Sequence, residues 1–522
     1  MNGKRELLKR RFHEAAWNEP VLMTMGSEGE RGLLLPEVEP EVKASVGDPL
    51  AKLPSDLVRR TPPALPQISQ PEILRHYMRL SQMTFGNNVS IDLGNGTCSM
   101  KYNPLVNERL ARLPQVTELH PLQDDDTVQG MLEIIYRFEG VLKAISGLDH
   151  FAFQPGGGAH GVFTNALMIK AYHRARGEAD QRTEIISTLF SHPIDAAAPA
   201  TAGFKVITLY PGPNGYPEPD ALRAAVSERT AGLMMVNPED TGLYNPHVDE
   251  FVKIVHEAGG LCAYDQANAN GILGIARARE AGFDLCQFNL HKTFGTPHGA
   301  FGLSVGAVGV RTGLEPFLPV PHVVYDGGRY ALDYDRPHSI GTTRAFHGNA
   351  QTVLRAYAWV LSLGAEGLRE VARTAVLNNN YLAKRLSEIP GLGVSYPENT
   401  TPRLEQIRYS WEKLTEETGV GTEDIEARTV DFGVQVYWTS HHPFIVPEPM
   451  TLEPTESFSK ADLDEYAEIL AEIAHEAYTD PEVVRTAPHR STVARAAPDA
   501  ASSSAVTWQA HLRQQSAAPA GQ

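Results

Sequence analysis

Short apolar runs alternate with amphipathic segments through the middle of this sequence. A stripe of apolar residues at helical spacing begins after Thr127 and ends before Gly147. Five apolar runs that predict buried strands follow, at residues 185–190, 204–210, 231–236, 260–265 and 283–290, with helical patterns such as 246–258 between them. This βαβ alternation predicts an α/β fold with a mainly parallel sheet that is covered by helices on both faces.

The two ends of the chain differ from this central pattern. Residues 1–70 are rich in Pro, Glu and Arg and predict an extended N-terminal arm, which either wraps a neighbouring subunit or begins as a flexible leader. Two long helical patterns, 345–363 and 366–389, meet at Gly364. We therefore predict a large domain at 71–345, connecting helices at 346–390, a smaller C-terminal α+β domain at 391–494 and a disordered tail at 495–522.

Composition and charge narrow the class of protein. The 522 residues include 46 basic and 63 acidic side chains, and the formal net charge of −17 argues against nucleic acid or an anionic membrane as a partner. The three cysteines are too few and too scattered for a disulfide framework or a four-ligand zinc site, so we predict no metal site. No apolar stretch is long enough to span a bilayer and no secretory leader pattern is present, so we expect a cytoplasmic protein.

Lys292 is the first candidate for chemistry. The apolar run 283–290 leads to His291 and Lys292 at the end of a predicted strand, just before a turn that contains Gly and Pro. The amine of a lysine condenses with an aldehyde to form a Schiff base, and desolvation or neighbouring charge keeps that amine reactive near neutral pH. On spacing alone, a surface lysine at a strand end is the better interpretation.

Two further motifs change that balance. Asp265 lies at the carboxyl end of the run 260–265, the edge at which open α/β sheets bind ligands. A carboxylate there can pair with the protonated pyridine nitrogen of pyridoxal phosphate. The segment Gln-Pro-Gly-Gly-Gly-Ala-His-Gly at 154–161 runs into a helical pattern, so Gly158 and Ala159 lie where backbone N–H groups can bind a phosphate.

Several blocks, occurring in one order, resemble the glycine cleavage system P-protein, specifically its β-subunit, glycine dehydrogenase (decarboxylating) subunit 2. The blocks are Arg-Leu-Ser-Gln-Met at 79–83, Thr-Cys-Ser-Met-Lys-Tyr-Asn-Pro at 97–104, Glu-Leu-His-Pro-Leu-Gln at 118–123, Leu-His-Lys-Thr-Phe at 290–294 and the segment 447–456. The resemblance covers residues 71–495. It implies a pyridoxal phosphate-dependent transferase fold of the aspartate aminotransferase-like type, fold type I.

The resemblance also implies a cofactor and the residues that bind it. The cofactor is pyridoxal 5'-phosphate, with Lys292 as the Schiff-base lysine, Asp265 on the pyridine nitrogen and His160 stacked on the ring. The remaining expected cofactor-binding residues are Gly158, Ala159 and Asn268.

The implied activity is the decarboxylation of glycine. In the family, CO₂ is released and the remaining aminomethyl group passes to the lipoyl arm of the H-protein, whose disulfide is reduced. The resemblance thus implies a small amino-acid substrate, a homo-oligomer or a hetero-oligomer with an α-subunit, and a lipoylated H-protein. His291, His192 and the segment 97–103 are the candidates near the substrate, and each is also open to a structural interpretation.

The sequence departs from the family pattern close to these residues. Residues 300–306, Ala-Phe-Gly-Leu-Ser-Val-Gly, replace a nearly unbroken glycine run. Residues 193–195, Pro-Ile-Asp, replace a Gly-Thr-Asn type turn after His192, and Gln266 stands beside Asp265 in place of a glycine. If the bulky side chains of 300–306 face the cofactor, the substrate is larger than glycine or the H-protein is not used; if they face the core, the change is only repacking.

Three hypotheses remain open. The chain is a P-protein subunit that decarboxylates glycine, a pyridoxal phosphate enzyme repurposed for another amino acid in specialised metabolism without H-protein, or a non-catalytic scaffold subunit. The joint presence of the lysine, aspartate and histidine anchors weighs against the scaffold, which has no physical need for all three.

Overall fold

The computed structural model describes residues 12–84, 89–94, 98–99, 101–298, 304–438, 445–492 and 495. These residues divide into two compact units. One contains the described residues between 89 and 486, and the other contains residues 12–84 together with those after 486. Among the described helices, none combines the length and apolar character that crossing a membrane requires.

The smaller unit consists mainly of extended chain. Its described residues include the α-helices α1 (Pro40–Val46) and α2 (Gln70–Ser81). The Glu14 carboxylate accepts hydrogen bonds from Ser491 Oγ at 2.8 Å and Thr492 N at 2.6 Å, so residues near the two ends of the chain are bound together. Most of its large apolar side chains are exposed, including Leu34 and Leu35 at 76% and 78%.

A seven-stranded sheet forms the centre of the larger unit. Its strands are β1 (His150–Ala152), β2 (Glu184–Thr188), β3 (Lys205–Leu209), β4 (Thr230–Val236), β5 (Leu261–Gln266), β6 (Leu285–Asn289) and β7 (Gly306–Val310), in the order β1-β7-β6-β5-β4-β2-β3. Strands β2 to β6 are parallel, and β7 pairs antiparallel with both β6 and β1. The five predicted strands are therefore confirmed, whereas the sequence patterns did not reveal β1 or β7.

Alternate residues of each strand point to opposite sides of the sheet, and both sides are apolar here, so helices cover both faces. Cys286 and Phe288 of β6 belong to one apolar cluster with Phe138, whereas Leu285 belongs to another cluster with Ile169. The helices of this part of the chain are α3 (Leu105–Ala111), α4 (Pro114–Thr117), α5 (Gln129–Ser146), α6 (Gly158–Ala175), α7 (Ile194–Thr201), α8 (Pro219–Ala225) and α9 (Val248–Glu257).

A long helix leads from this sheet to a second, smaller sheet. Helix α10 (Ala350–Leu386) is interrupted at Gly364, whose φ of 65° departs from helical geometry, so the predicted break between two long helices is confirmed. A hairpin of β8 (His322–Tyr325) and β9 (Tyr330–Asp333) precedes it. The elements that follow it are β10 (Gly393–Val394), β11 (Ile407–Ser410), α11 (Glu412–Thr418), α12 (Thr422–Val430), β12 (Pro449–Leu452), α13 (Lys460–Thr479) and α14 (Pro481–Arg485).

The smaller sheet has its own apolar core. Strands β10, β11 and β12 pair antiparallel in that order. Trp411, Trp438 and Tyr466 are almost fully buried in one cluster with Leu382 of α10. The Ser459 hydroxyl accepts a hydrogen bond from the Asp462 backbone N–H in a capping box that starts α13.

Candidate active site

Lys292 lies in the turn that follows β6. The Lys292 backbone N–H donates to the Asn289 carbonyl at 3.1 Å, and Leu290 N donates to Val305 O at 3.0 Å, which ties this turn to the segment that leads into β7. The lysine is 5% exposed. It is therefore a buried lysine at the carboxyl edge of the parallel strands, and the surface-lysine interpretation is wrong.

Asp265 lies in β5, next to β6, and is buried as well. Its Oδ1 accepts a hydrogen bond from Ala267 N at 2.8 Å and another from the Gln287 side-chain amide. Burial raises the pKa of the Asp265 carboxyl, while the bond from Ala267 and the charge of Lys292 act in the opposite direction. The carboxylate is thus fixed in orientation and close enough to Lys292 to feel its charge.

The glycine-rich segment at 154–161 leads into α6 and packs beside the end of β6. Gly157 has a φ of 141°, and a Cβ atom on it would lie 2.8 Å from Ser304 Oγ. A Cβ atom on Gly158 would lie 2.6 Å from Asn289 Nδ2. Only glycine at these two positions permits this close approach of the backbone to Ser304 and Asn289. Because α6 starts here, its first backbone N–H groups, including that of Ala159, have no partners within the helix.

His160 lies in the first turn of α6 and is about half buried. Its Nδ1 accepts a hydrogen bond from Gly156 N at 3.1 Å. Burial and the nearby Arg344 guanidinium lower the pKa of His160, so the ring is neutral at physiological pH. Arg344 in turn donates to the Ser304 carbonyl at 3.2 Å, which links His160 to the segment after the Lys292 turn.

His291 precedes Lys292 and belongs to a small histidine cluster. Its Nδ1 is hydrogen-bonded to Ser304 Oγ, and its ring meets His298 edge-on with centroids 4.9 Å apart. Burial, His298 and Lys292 together lower the pKa of His291 to about 3. The imidazole is therefore neutral across the physiological range.

His192 and Asn268 line one pocket together with Lys292 and Asp265. His192 Nδ1 accepts a hydrogen bond from Ile194 N at 3.1 Å. The Asn268 side-chain amide donates to Glu453 at 2.7 Å, so it is held by the segment that forms part of the 447–456 block. The structure thus brings four of the predicted residues to a single cavity.

Several carboxyl groups near this pocket were not predicted. Asp195 is fully buried close to Asp265, and burial and the Asp265 charge hold the pKa of Asp195 well above its ordinary value. Two carboxyl-bearing residues that were not predicted, Asp240 and Glu405, line the pocket itself. Asp195 replaces the asparagine of the family turn, and that departure was the one sequence signal that could have identified it.

The residues that depart from the family pattern lie in different surroundings in the structure. Gln266 is 2% exposed in β5. Ser304 binds His291, and Val305 is fully buried in the core, so this end of the 300–306 segment is packed inward. The larger-pocket hypothesis rested on Phe301, Leu303 and Val305, of which Val305 faces the core and the other two lie outside the described residues. Thr97 and Met100 of the segment 97–103 lie outside the described residues as well.

Known proteins resemble this chain along almost its whole length. A family model described as glycine dehydrogenase, C-terminal domain, matches residues 371–498. A probable glycine dehydrogenase (decarboxylating) subunit 2 from Pyrococcus horikoshii is 45% identical over 486 residues, which cover 93% of this chain and 94% of the relative. A relative of the same description from Caldanaerobacter subterraneus subsp. tengcongensis is 41% identical over 480 residues, which cover 91% of this chain and 95% of the relative.

Solved structures agree with the predicted fold. An inhibitor-bound glycine decarboxylase (P-protein) of the glycine cleavage system superimposes with a TM-score of 0.68 at 20% identity, covering 84% of this chain and 99% of that one. The cysteine desulfurase CsdA from Escherichia coli gives a TM-score of 0.56 at 15% identity, covering 78% and 99%. The aspartate aminotransferase-like fold, fold type I, is confirmed. Given the extent of the sequence identity, the chain is a member of the glycine dehydrogenase (decarboxylating) subunit 2 family.

Proposed function

We propose that this chain binds pyridoxal phosphate covalently through Lys292 and decarboxylates glycine or a related amino acid. The observation that carries this proposal is that Lys292 and the buried Asp265 line one pocket and that the charge of Lys292 acts on the Asp265 carboxyl. The names of the relatives, glycine dehydrogenase (decarboxylating) subunit 2, support the decarboxylation.

The residues present fit the cofactor. Asp265 is a buried carboxylate that needs a positive partner, and a protonated pyridine nitrogen is one. A phosphate is suited to the N-terminus of α6, where Gly157 and Gly158 leave bare backbone next to Asn289. His160 in the same turn is the candidate for packing on the ring, and Gly158, Ala159 and Asn268 complete the proposed set.

Each side chain then has a physical role. When bound, pyridoxal phosphate supplies an electron sink for the Cα bond that breaks. Asp265, oriented by Ala267 N and Gln287, holds the proton on the pyridine nitrogen. We assign proton transfer on the substrate side to His291, which adjoins Lys292 in sequence and is oriented by Ser304. His192 lines the Lys292 pocket itself. The burial of the pocket excludes water, which strengthens these charge interactions.

We infer the partners of the chain from the names of its relatives and its location from its cysteines. A protein called subunit 2 requires another subunit, and we propose an α-subunit together with a lipoylated H-protein that receives the aminomethyl group. The exposed leucines of the N-terminal segment, Leu33, Leu34 and Leu35, are suited to covering by a second chain. Cys98, Cys262 and Cys286 are all free thiols, which supports a reducing, cytoplasmic environment.

Borohydride reduction of the pyridoxal phosphate-loaded protein tests the covalent link. Peptide mass spectrometry should locate the reduced adduct on Lys292, and Lys292→Ala should lose it while still binding the cofactor non-covalently. Lys253, whose side chain is 75% exposed on α9, provides the matched control, because Lys253→Ala should keep the adduct. A wild-type protein that takes up no cofactor would leave the non-catalytic scaffold as the better hypothesis.

Carboxyl exchange tests the substrate. The protein is incubated with glycine and labelled bicarbonate, with and without the α-subunit and lipoylated H-protein. Exchange that depends on H-protein would support glycine decarboxylation. A Lys292 adduct without any exchange into glycine would favour the repurposed enzyme, which acts on another amino acid.

A further inference from the structure

Lys101 contacts the turn that carries Lys292. The Lys101 side chain is 1% exposed, and its Nζ donates a hydrogen bond to the Thr293 carbonyl at 2.8 Å. Thr293 is fully buried, and its Oγ1 accepts a hydrogen bond at 2.9 Å from Ala269 N, in the loop that follows β5. The residue directly after Lys292 is therefore held twice, through its carbonyl by Lys101 and through its hydroxyl by the loop after β5.

Two further contacts fix the Lys101 amine in place. Its Nζ is ion-paired with Glu456 Oε1 at 3.0 Å and lies over the Trp359 ring, 4.8 Å from the ring centroid. The same indole packs against the turn, since a Cβ atom on Gly295 would lie 3.0 Å from Trp359 Nε1. Lys101 and the Lys292 turn thus share one aromatic support, which belongs to α10.

Stability alone does not account for an amine at this position. Burial lowers the pKa of Lys101, against the opposing charge of Glu456. A buried ion pair is often no more stabilising than apolar side chains of the same volume, because both charges must leave water. An apolar side chain could not, however, donate a hydrogen bond to the Thr293 carbonyl. That bond limits the backbone conformations open to the turn, and so to Lys292.

We propose that Lys101 is a positioning residue for Lys292, which holds the turn so that the Lys292 amine lies where it forms the covalent link to the cofactor. This inference rests on the proposed function and adds a residue to it. The described residues that line the pocket of Lys292 and Asp265 do not include Lys101, so Lys101 acts through the turn.

A double-mutant cycle on the full chain tests this role. Equilibrium dialysis gives the affinity for pyridoxal phosphate of the wild type, Lys101→Met, Lys292→Ala and the double variant. The ratio of affinities with and without Lys292 measures the advantage that the covalent link provides. Lys101→Met should reduce this advantage about tenfold or more, the order expected of one charge-assisted hydrogen bond. In the Lys292→Ala background, Lys101→Met should change the affinity by less than about twofold.

A merely structural role of Lys101 would give a different result. It would weaken cofactor binding alike in both backgrounds, and that outcome would overturn the proposal. Arg428→Met is the matched control, because it breaks another largely buried ion pair, with Glu476 at 2.8 Å, between α12 and α13. It should leave the advantage of the covalent link unchanged, and a reduction as large as that of Lys101→Met would contradict the role given to Lys101.

The same measurements separate this inference from the proposed function. If the wild type binds pyridoxal phosphate no more tightly than Lys292→Ala, the covalent link fails, and the inference fails with it. If the link forms and Lys101→Met leaves its advantage intact, only the role of Lys101 fails. Should Lys101→Met not fold, Glu456→Gln replaces it in the cycle, because it removes the charge that holds the Lys101 amine. A reduced advantage then supports the proposal, and an unchanged one contradicts it.

Discussion

Replacing Glu239 by glutamine should change how the stability of this protein depends on pH. Glu239 follows β4 and is fully buried, and burial together with the neighbouring Asp240 raises its pKa to about 8. Because the folded-state pKa is raised, the folded protein keeps a proton that the unfolded chain has released above pH 4.5. Unfolding therefore releases a proton, and the free energy of unfolding falls as the pH rises from about 4.5 to about 8.

The size of the effect follows from the pKa difference. A pKa of about 8 against the ordinary 4.5 corresponds to roughly 5 kcal/mol, since one pH unit is worth about 1.4 kcal/mol. Glutamine has nearly the same shape and cannot ionise, so Glu239→Gln should lose this penalty. Its amide needs partners of its own, at a cost of about 1–3 kcal/mol that does not vary with pH. The free energy of unfolding of Glu239→Gln minus that of the wild type should thus increase by up to roughly 5 kcal/mol between pH 4.5 and pH 8.

Denaturant unfolding at several pH values between 4.5 and 8.5 measures this difference. Asp240 and Glu405 also have raised pKa values, so they lower the stability of both proteins over the same pH range. Subtracting the wild-type profile from that of the variant removes this shared contribution and leaves that of Glu239. Glu257→Gln, an exposed substitution on α9, controls for the change in net charge. Parallel pH profiles for the wild type and Glu239→Gln would refute the reasoning, because they would mean that Glu239 titrates alike in the folded and unfolded states.

Three further outcomes are expected. Gly309→Ala should lower the free energy of unfolding by about 1–3 kcal/mol, because a Cβ atom there would lie 2.4 Å from the Phe151 ring. Gly140→Ala is the control: no atom lies near its added Cβ atom, so thermal unfolding should show it to be neutral or stabilising. His291→Gln should lower the decarboxylation rate by about 100-fold or more without moving the acid limb of its pH profile, because the pKa of His291 is only about 3. Light scattering should show the full chain to be oligomeric, with the mass falling when residues 1–65 are removed, and a monomeric full chain that is fully active would contradict the role given to the exposed leucines.

The sequence alone predicted strands β2 to β6, though not β1 or β7, and it predicted Lys292 and Asp265 as candidate anchors of a cofactor. Strands β2 to β6 were predictable because buried parallel strands are continuous apolar runs, and this signal is local. Lys292 and Asp265 were predictable as a pair because both follow such runs, and the carboxyl ends of parallel strands meet at one edge of a sheet. The domain boundaries at 70, 345, 390 and 494 stay predictions.

Only the tertiary structure decided what surrounds those anchors. Asp240 and Glu405 are far apart in the sequence, and no local periodicity records that a loop after β4 and the segment before β11 meet at one cavity. The contact between Asp195 and Asp265 likewise depends on the order of strands β5, β4 and β2 in the sheet. A local pattern reports which residues are buried and in what backbone conformation. The partners of a buried charge are set by strand order and loop convergence, and here they decide the chemistry of the pocket.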